Sequence, residues 1–226
     1  MRLYYMTSEC WGLVILKERR LKLSTIPELN DPFELLGASI GEKNIRCIMA
    51  RLHDHWSKDM GMICLTDNWH SPVMWAHYAE KHNGLCLGFD MPDDPSTIFK
   101  VDYKPDRLQN MLDIKKGLCG VDQEMIEKLL TTKYQDWSYE REYRLFAELN
   151  DKEQNGLYYL PFGKDLILRE VILGARCKLS VAEVAEAVVK QQHSVHVIQA
   201  EPALNSFAII QKKTVRSIDI KAGLSQ

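Results

Sequence analysis

Residues 60–90, MGMICLTDNWHSPVMWAHYAEKHNGLCLGFD, decide the reading of the fold. Met60–Thr66 is a short apolar run, which fits a buried strand. Ser71 then offers a side-chain cap, and Pro72 a first helical residue with no amide hydrogen to leave unpaired, so a helix is expected from there to about Lys81. Asn83-Gly84 ends it, and Gly84–Asp90 reads as a second buried strand.

Upstream, Arg2–Met6 reads as a strand, the positions after Ser8 as a helix ending near Arg20, and Leu21–Ser24 as extended chain. TIPELNDPFELLG carries two prolines around an Asn-Asp pair and is expected to be an ordered loop. Ile45, Ile48, Met49, Leu52 and Trp56 recur at helical spacing, which predicts a helix over Glu42–Lys58. Downstream, IFKVDY reads as a strand, Asp106–Lys133 as two helices broken near Gly117 and Gly120, and YEREYRLFAEL as another strand. Asn155-Gly156 turns the chain into GLYYLPF, and Arg169–Leu173 is extended. Ser180 with Glu183 forms a capping box that opens a helix to about Gln192. VHVIQA and FAIIQ close the chain as strands. Strands and helices alternate without a βαβ rhythm, so the expected class is α+β: one domain over 1–226, with mixed, mainly antiparallel sheets and flanking helices.

Composition narrows the function classes. The chain has 226 residues, 29 Lys+Arg against 31 Asp+Glu, and a formal net charge of −2, so bulk charge supplies no pull toward a phosphate backbone or an anionic membrane. No apolar run approaches the roughly 18 residues of a membrane span, and no membrane role is expected. Six cysteines stand singly, at 10, 47, 64, 86, 119 and 177, the pattern of reduced thiols in the cytoplasm. No metal site is expected: His77 and His82 are five apart and point in different directions on a helix, while His53 and His55 are two apart. The phosphate-loop, dinucleotide-fold, zincin and serine-hydrolase signatures are missing.

Four polar clusters stand where apolar residues would be expected. Tyr4-Tyr5-Met6-Thr7 ends the first strand. Asn30-Asp31-Pro32-Phe33-Glu34 forms a rigid turn that presents Asn30, Asp31 and Glu34 to a pocket, with Phe33 as its anchor in the core. Met74, Trp75 and Tyr78 share a helix face with His82 a turn further on, next to His77, and such a face suits stacking on a flat ligand ring. In WSYEREYRLF, strand periodicity puts Glu140, Glu142 and Arg144 on one face and Tyr139, Arg141 and Tyr143 on the other. A carboxylate beside an arginine is how a site keeps an acid ionised. Asn30, His77, Tyr78, Glu142 and Arg144 are expected to line one pocket.

Taken in order, LYYMTS, LNDPFE, MWAHYAEKHNG with LCLGFD, and WSYEREYRLF resemble the bacterial family catalogued as domain of unknown function 2971. The likeness runs over about 3–174 and leaves 175–226 as an extension. A second likeness is to ADP-ribosyltransferases of the His-Tyr-Glu type. YYMT is similar to their opening motif, with Tyr5 in place of the histidine. Tyr78 corresponds to the tyrosine that stacks on nicotinamide, and Glu142 to the glutamate that opens a later strand. This likeness implies NAD as substrate, Glu142 as the catalytic carboxylate with Glu140 as second candidate, and a nucleotide or macromolecular acceptor, in a toxin, mobile-element or phage-defence setting. A magnesium-dependent nuclease using Asp31, Glu34, Glu140 and Glu142, and a non-catalytic recognition module, are the alternatives.

Overall fold

The computed structural model describes residues 1–34, 37–39, 41, 43–92, 94, 97–108, 122–189 and 193–221. The expected breaks near Gly117 and Gly120, and Cys119, lie outside them. The fold is α+β with mainly antiparallel pairing. The chain forms two compact units, each assembled from separated stretches: Met1–Leu21, Leu65–Asp94 and Leu160–Gln226 in the first, Lys22–Cys64 and Pro95–Tyr159 in the second.

In the first unit β4 (Leu85–Asp90) is the central strand. It pairs antiparallel with β1 (Arg2–Thr7) on one side and β10 (Ile167–Leu173) on the other. Five of its six residues are buried, which explains why LCLGFD reads as a continuous apolar run without alternation. β10 continues in parallel to β11 (Val195–Pro202), through α5 (Val181–Val188), and β11 pairs with both β12 (Ile209–Gln211) and β13 (Ile218–Ile220). α1 (Glu9–Glu18) begins at the Ser8 cap and packs on β4 and α5. The capping box of Ser180 and Glu183 forms as expected.

α3 (Pro72–Tyr78) starts at the Ser71 cap but ends one turn before Lys81. Glu80, Lys81 and His82 all take positive φ, at 49°, 54° and 71°, a left-handed turn that L-residues enter at a steric cost. The turn is held from a distance: Gly174 N donates to the Gly84 carbonyl and Arg176 N to the His82 carbonyl, both at 2.9 Å. Those backbones approach so closely that a Cβ at Gly84 would overlap the Thr7 carbonyl oxygen, and one at Gly174 the His82 carbonyl oxygen.

In the second unit α2 (Lys43–Asp59) buries Ile48, Met49, Leu52 and Trp56 along one stripe, the spacing read from the sequence. They pack with Ile26, Ala38 and Met62, and with Leu129 and Leu130 of α4 (Gln123–Thr131). β2 (Arg20–Thr25) and β3 (Met60–Thr66) pair antiparallel through Ser24 and Met62. IFKVDY divides into β5 (Ile98–Lys100) and β6 (Asp102–Lys104), which take different partners. β6 runs parallel to β7 (Thr132–Tyr134), and β5 antiparallel to β8 (Glu142–Glu148), with Phe99 opposite Arg144.

Gly174→Ala is expected to lower stability by about 3 kcal/mol or more, a loss of roughly 6–12 °C in Tm for a chain of this size, because the overlap is with backbone and not with a side chain that can turn aside. Gly163→Ala, with no atom near the added carbon, should stay within about 0.5 kcal/mol of wild type. Thermal unfolding of the two variants side by side checks this.

Candidate functional site

Asp31 builds the turn that starts the site. Its carboxylate accepts a hydrogen bond from Phe33 N at 2.9 Å and its carbonyl accepts one from Glu34 N at 3.1 Å, with Pro32 fixing the dihedral between them. The turn sends Glu34 inward, 6% exposed, and Phe33 outward, 56% exposed. The expected core anchor is thus a surface ring, which stands 5.2 Å from the Arg107 guanidinium. A turn this tight points successive side chains in opposite directions, and burial of the carboxylate forces the ring out.

WSYEREYRLF also differs from a plain strand. Gln135–Glu140 is a 3-10 helix, Arg141 reverses the chain in the left-handed region (φ 47°), and β8 begins only at Glu142. Glu140 therefore does not share a strand face with Glu142, although both reach the same ammonium. Glu142 and Arg144 do follow the period of two, and both face inward. The Glu142 amide is held by the Tyr103 hydroxyl oxygen at 2.8 Å, which sets where β8 starts.

Arg144 is fully buried. Nε and Nη2 donate to the two oxygens of Glu142 at 2.9 and 3.1 Å, Nη1 donates to the Leu130 carbonyl at 2.7 Å, and Nη2 also donates to Glu34 Oε1 at 2.9 Å. Lys133, likewise buried, donates to Glu140 at 2.7 Å and Glu142 at 3.2 Å, stands 3.4 Å from Glu34 Oε1, and lies 4.9 Å from the centre of the Trp137 ring. Burial alone would raise the Glu142 carboxyl; Arg144 and then Lys133 outweigh it and hold the group from its ordinary 4.5 down to about 2. Burial would likewise lower the Lys133 ammonium, but Glu142, Glu34 and Glu140 together raise it. The Cys64 thiol is pushed well up, first by burial and then by Glu142, and is held in its unreactive form.

One atom of the cluster is left over. Glu34 Oε2 is buried and makes no hydrogen bond. Its side chain lines a cavity of about 370 Å³, formed entirely within the second unit, with Lys133 beside it and Phe33, Tyr134, Lys104 and Arg107 around it. Lys133 escaped the sequence reading because a lone lysine after Leu129-Leu130 looks like a helix end; only its parallel pairing in β7 turns it inward.

Among the sequence candidates, Asn30, Asp31, Glu34, Glu140, Glu142 and Arg144 belong to the second unit, and Tyr5, Trp75, His77, Tyr78 and His82 to the first. The structure brings Glu34, Glu140, Glu142 and Arg144 into one cluster, while Asn30 is exposed at the start of the turn. Trp75 is fully buried, and its indole N–H donates to the Trp69 carbonyl at 2.6 Å. The His82 ring stacks parallel to it, with centroids 6.4 Å apart, and its pKa is lowered by burial and then by Arg176. His77 is exposed, with the Tyr78 ring 6.2 Å away. Both glutamate oxygens of Glu142 are engaged, so the carboxylate with an unsatisfied oxygen is Glu34.

Residues 74–145 match the family described as "Protein of unknown function (DUF2971)", which bears out the first resemblance over the segment holding MWAHYAEKHNG, LCLGFD and WSYEREYRL. No curated protein and no solved structure matches the chain. Among the described residues no helix is long and apolar enough to cross a membrane, and no group of three or more His, Cys, Asp or Glu is placed to hold a metal ion.

Arg144→Met should cost about 3–5 kcal/mol, because it strands two buried carboxylates and a carbonyl, whereas breaking a solvent-exposed pair such as Lys58–Asp54 should leave the unfolding midpoint almost unchanged. Since the folded value of Glu142 lies below its unfolded one, the stability it lends is complete above about 4.5 and drains away as pH falls toward about 2. Urea unfolding of wild type and Glu142→Gln across that window measures it: the two curves should converge at the acid end.

Proposed function

We propose that the chain is an ADP-ribosyltransferase-like enzyme that uses NAD, and that the second unit's cavity holds the reacting end of the dinucleotide. The observation that carries this reading is the Glu34 carboxylate: buried, beside two buried cations, lining the cavity, with one oxygen that no protein group satisfies. Breaking the bond between ribose C1′ and the nicotinamide nitrogen sends the electron pair out with nicotinamide and leaves positive charge on the ribose. A fixed carboxylate beside that carbon stabilises the charge as it develops. The acceptor's nucleophile then bonds to C1′ and gives up its proton to solvent. Glu34 takes the catalytic role in this assignment, and Glu142, whose oxygens are both engaged, acts as a positioning residue through Arg144 and Lys133. The acceptor is a macromolecule, as in a toxin or a phage-defence protein. A magnesium nuclease is supported less well, because Glu34, Glu140 and Glu142 converge on the Lys133 ammonium.

The test is release of nicotinamide from NAD by the full chain, with DNA, RNA and protein offered as acceptors. Glu34→Gln is expected to cut the rate about a hundredfold while the fold persists, and Glu142→Gln to lower stability as well as rate. A wild-type protein that leaves NAD intact, or cleaves nucleic acid in magnesium, overturns the reading.

A further inference from the structure

We infer that the second unit's cavity is a site for a flat organic cation, and that, where it serves the NAD reaction, it receives the positively charged nicotinamide ring of the oxidised form in preference to the neutral reduced ring or the adenine. The identity of the natural ring rests on the reading above; the preference for a planar cation rests on the cavity itself.

Charge comes first. The buried cluster holds three carboxylates, Glu34, Glu140 and Glu142, against two cations, Lys133 and Arg144, an excess of one negative charge. Among the described residues, the other charged ones lining the cavity are Asp31 and Asp106 against Lys104 and Arg107, two of each sign, so the excess stands. A buried anionic oxygen without a donor is costly, and the cost is relieved by any group that brings a donor or a positive charge to it. Glu34 lines the cavity, and the last torsion of a glutamate is soft, so its carboxylate can turn toward a group that enters.

The mouth supplies the shape. Phe33 and Tyr134 line it and remain 56% and 48% exposed, large ring surface left in water beside a concave site. Aromatic faces attract planar cations, and Phe33 already has the Arg107 guanidinium 5.2 Å from its centroid. A volume of about 370 Å³ lies at the small end of ligand sites, enough for one ring and its sugar but not a whole dinucleotide. Lys104 and Arg107 stand among the less buried lining residues, and Glu34 and Lys133 among the most buried. A cationic ring carried on a phosphate-bearing chain matches that sequence of charges when it enters ring first.

The experiment titrates the full chain by calorimetry with 1-methylnicotinamide, a pyridinium cation, and with nicotinamide, the same ring and amide without the charge. Wild type is expected to bind the cation at least about tenfold more tightly. Glu34→Gln should shrink that gap to within about threefold, and Phe33→Ala, a change at an exposed ring that leaves the fold intact, should weaken both ligands and keep the gap. Equal affinities, no saturable binding of either compound, a gap that survives Glu34→Gln, or cation binding indifferent to Phe33→Ala each overturn the inference. A clear gap in a protein that releases no nicotinamide from NAD upholds the cation site and removes the transferase reading, and release of nicotinamide without a gap does the reverse.

Discussion

The buried guanidinium of Arg144 is the constraint around which the second unit is organised. Taking it out of water costs several kcal/mol, recovered only when its donors are satisfied together. They are satisfied by β8 through Glu142, by the end of α4 through the Leu130 carbonyl, and by the Asp31 turn through Glu34, 110 positions away in the chain. Lys133 ties the same carboxylates from the other direction. Removing either cation strands buried carboxylates, so Arg144 and Lys133 hold the cluster together and fix the cavity floor as they do so. Glu34 is the member whose second oxygen is buried without a hydrogen bond, and the proposed role of the floor rests on that asymmetry.

Much of the scaffold was legible because its causes are local. The Ser71 and Ser180 caps, the apolar stripe of α2 and the period of two that turns Glu142 and Arg144 inward each depend on residues a few positions apart. What escaped depends on distant partners. α3 stops at Tyr78 because Gly174 and Arg176 hold the following turn in a left-handed path. Lys133 faces inward through its pairing with β6, and Phe33 faces outward because the carboxylate beside it is needed by Arg144. Glu140 reads as a strand residue because its stretch alternates charges and rings, a pattern that a 3-10 turn imitates over so short a length.

The segment that matches the family, 74–145, contains Lys133, Glu140, Glu142 and Arg144, the cationic half of the cluster with two of its carboxylates. Glu34 lies outside it. The brace and the residue proposed to meet the substrate thus come from different parts of the chain.

The interleaving of the two units has a consequence for how the chain reaches its native state. The first unit's β1 and β4 meet only after the excursion over Lys22–Cys64, and β10 joins β4 only after a second excursion over Pro95–Tyr159. Those two excursions are themselves the halves of the second unit. A ribosome delivering the chain from its N-terminus therefore presents no complete unit until the second excursion has emerged as far as Tyr159, and long loops must close before most strand pairs repay their entropy. Chains cut within either excursion carry an incomplete core in both units.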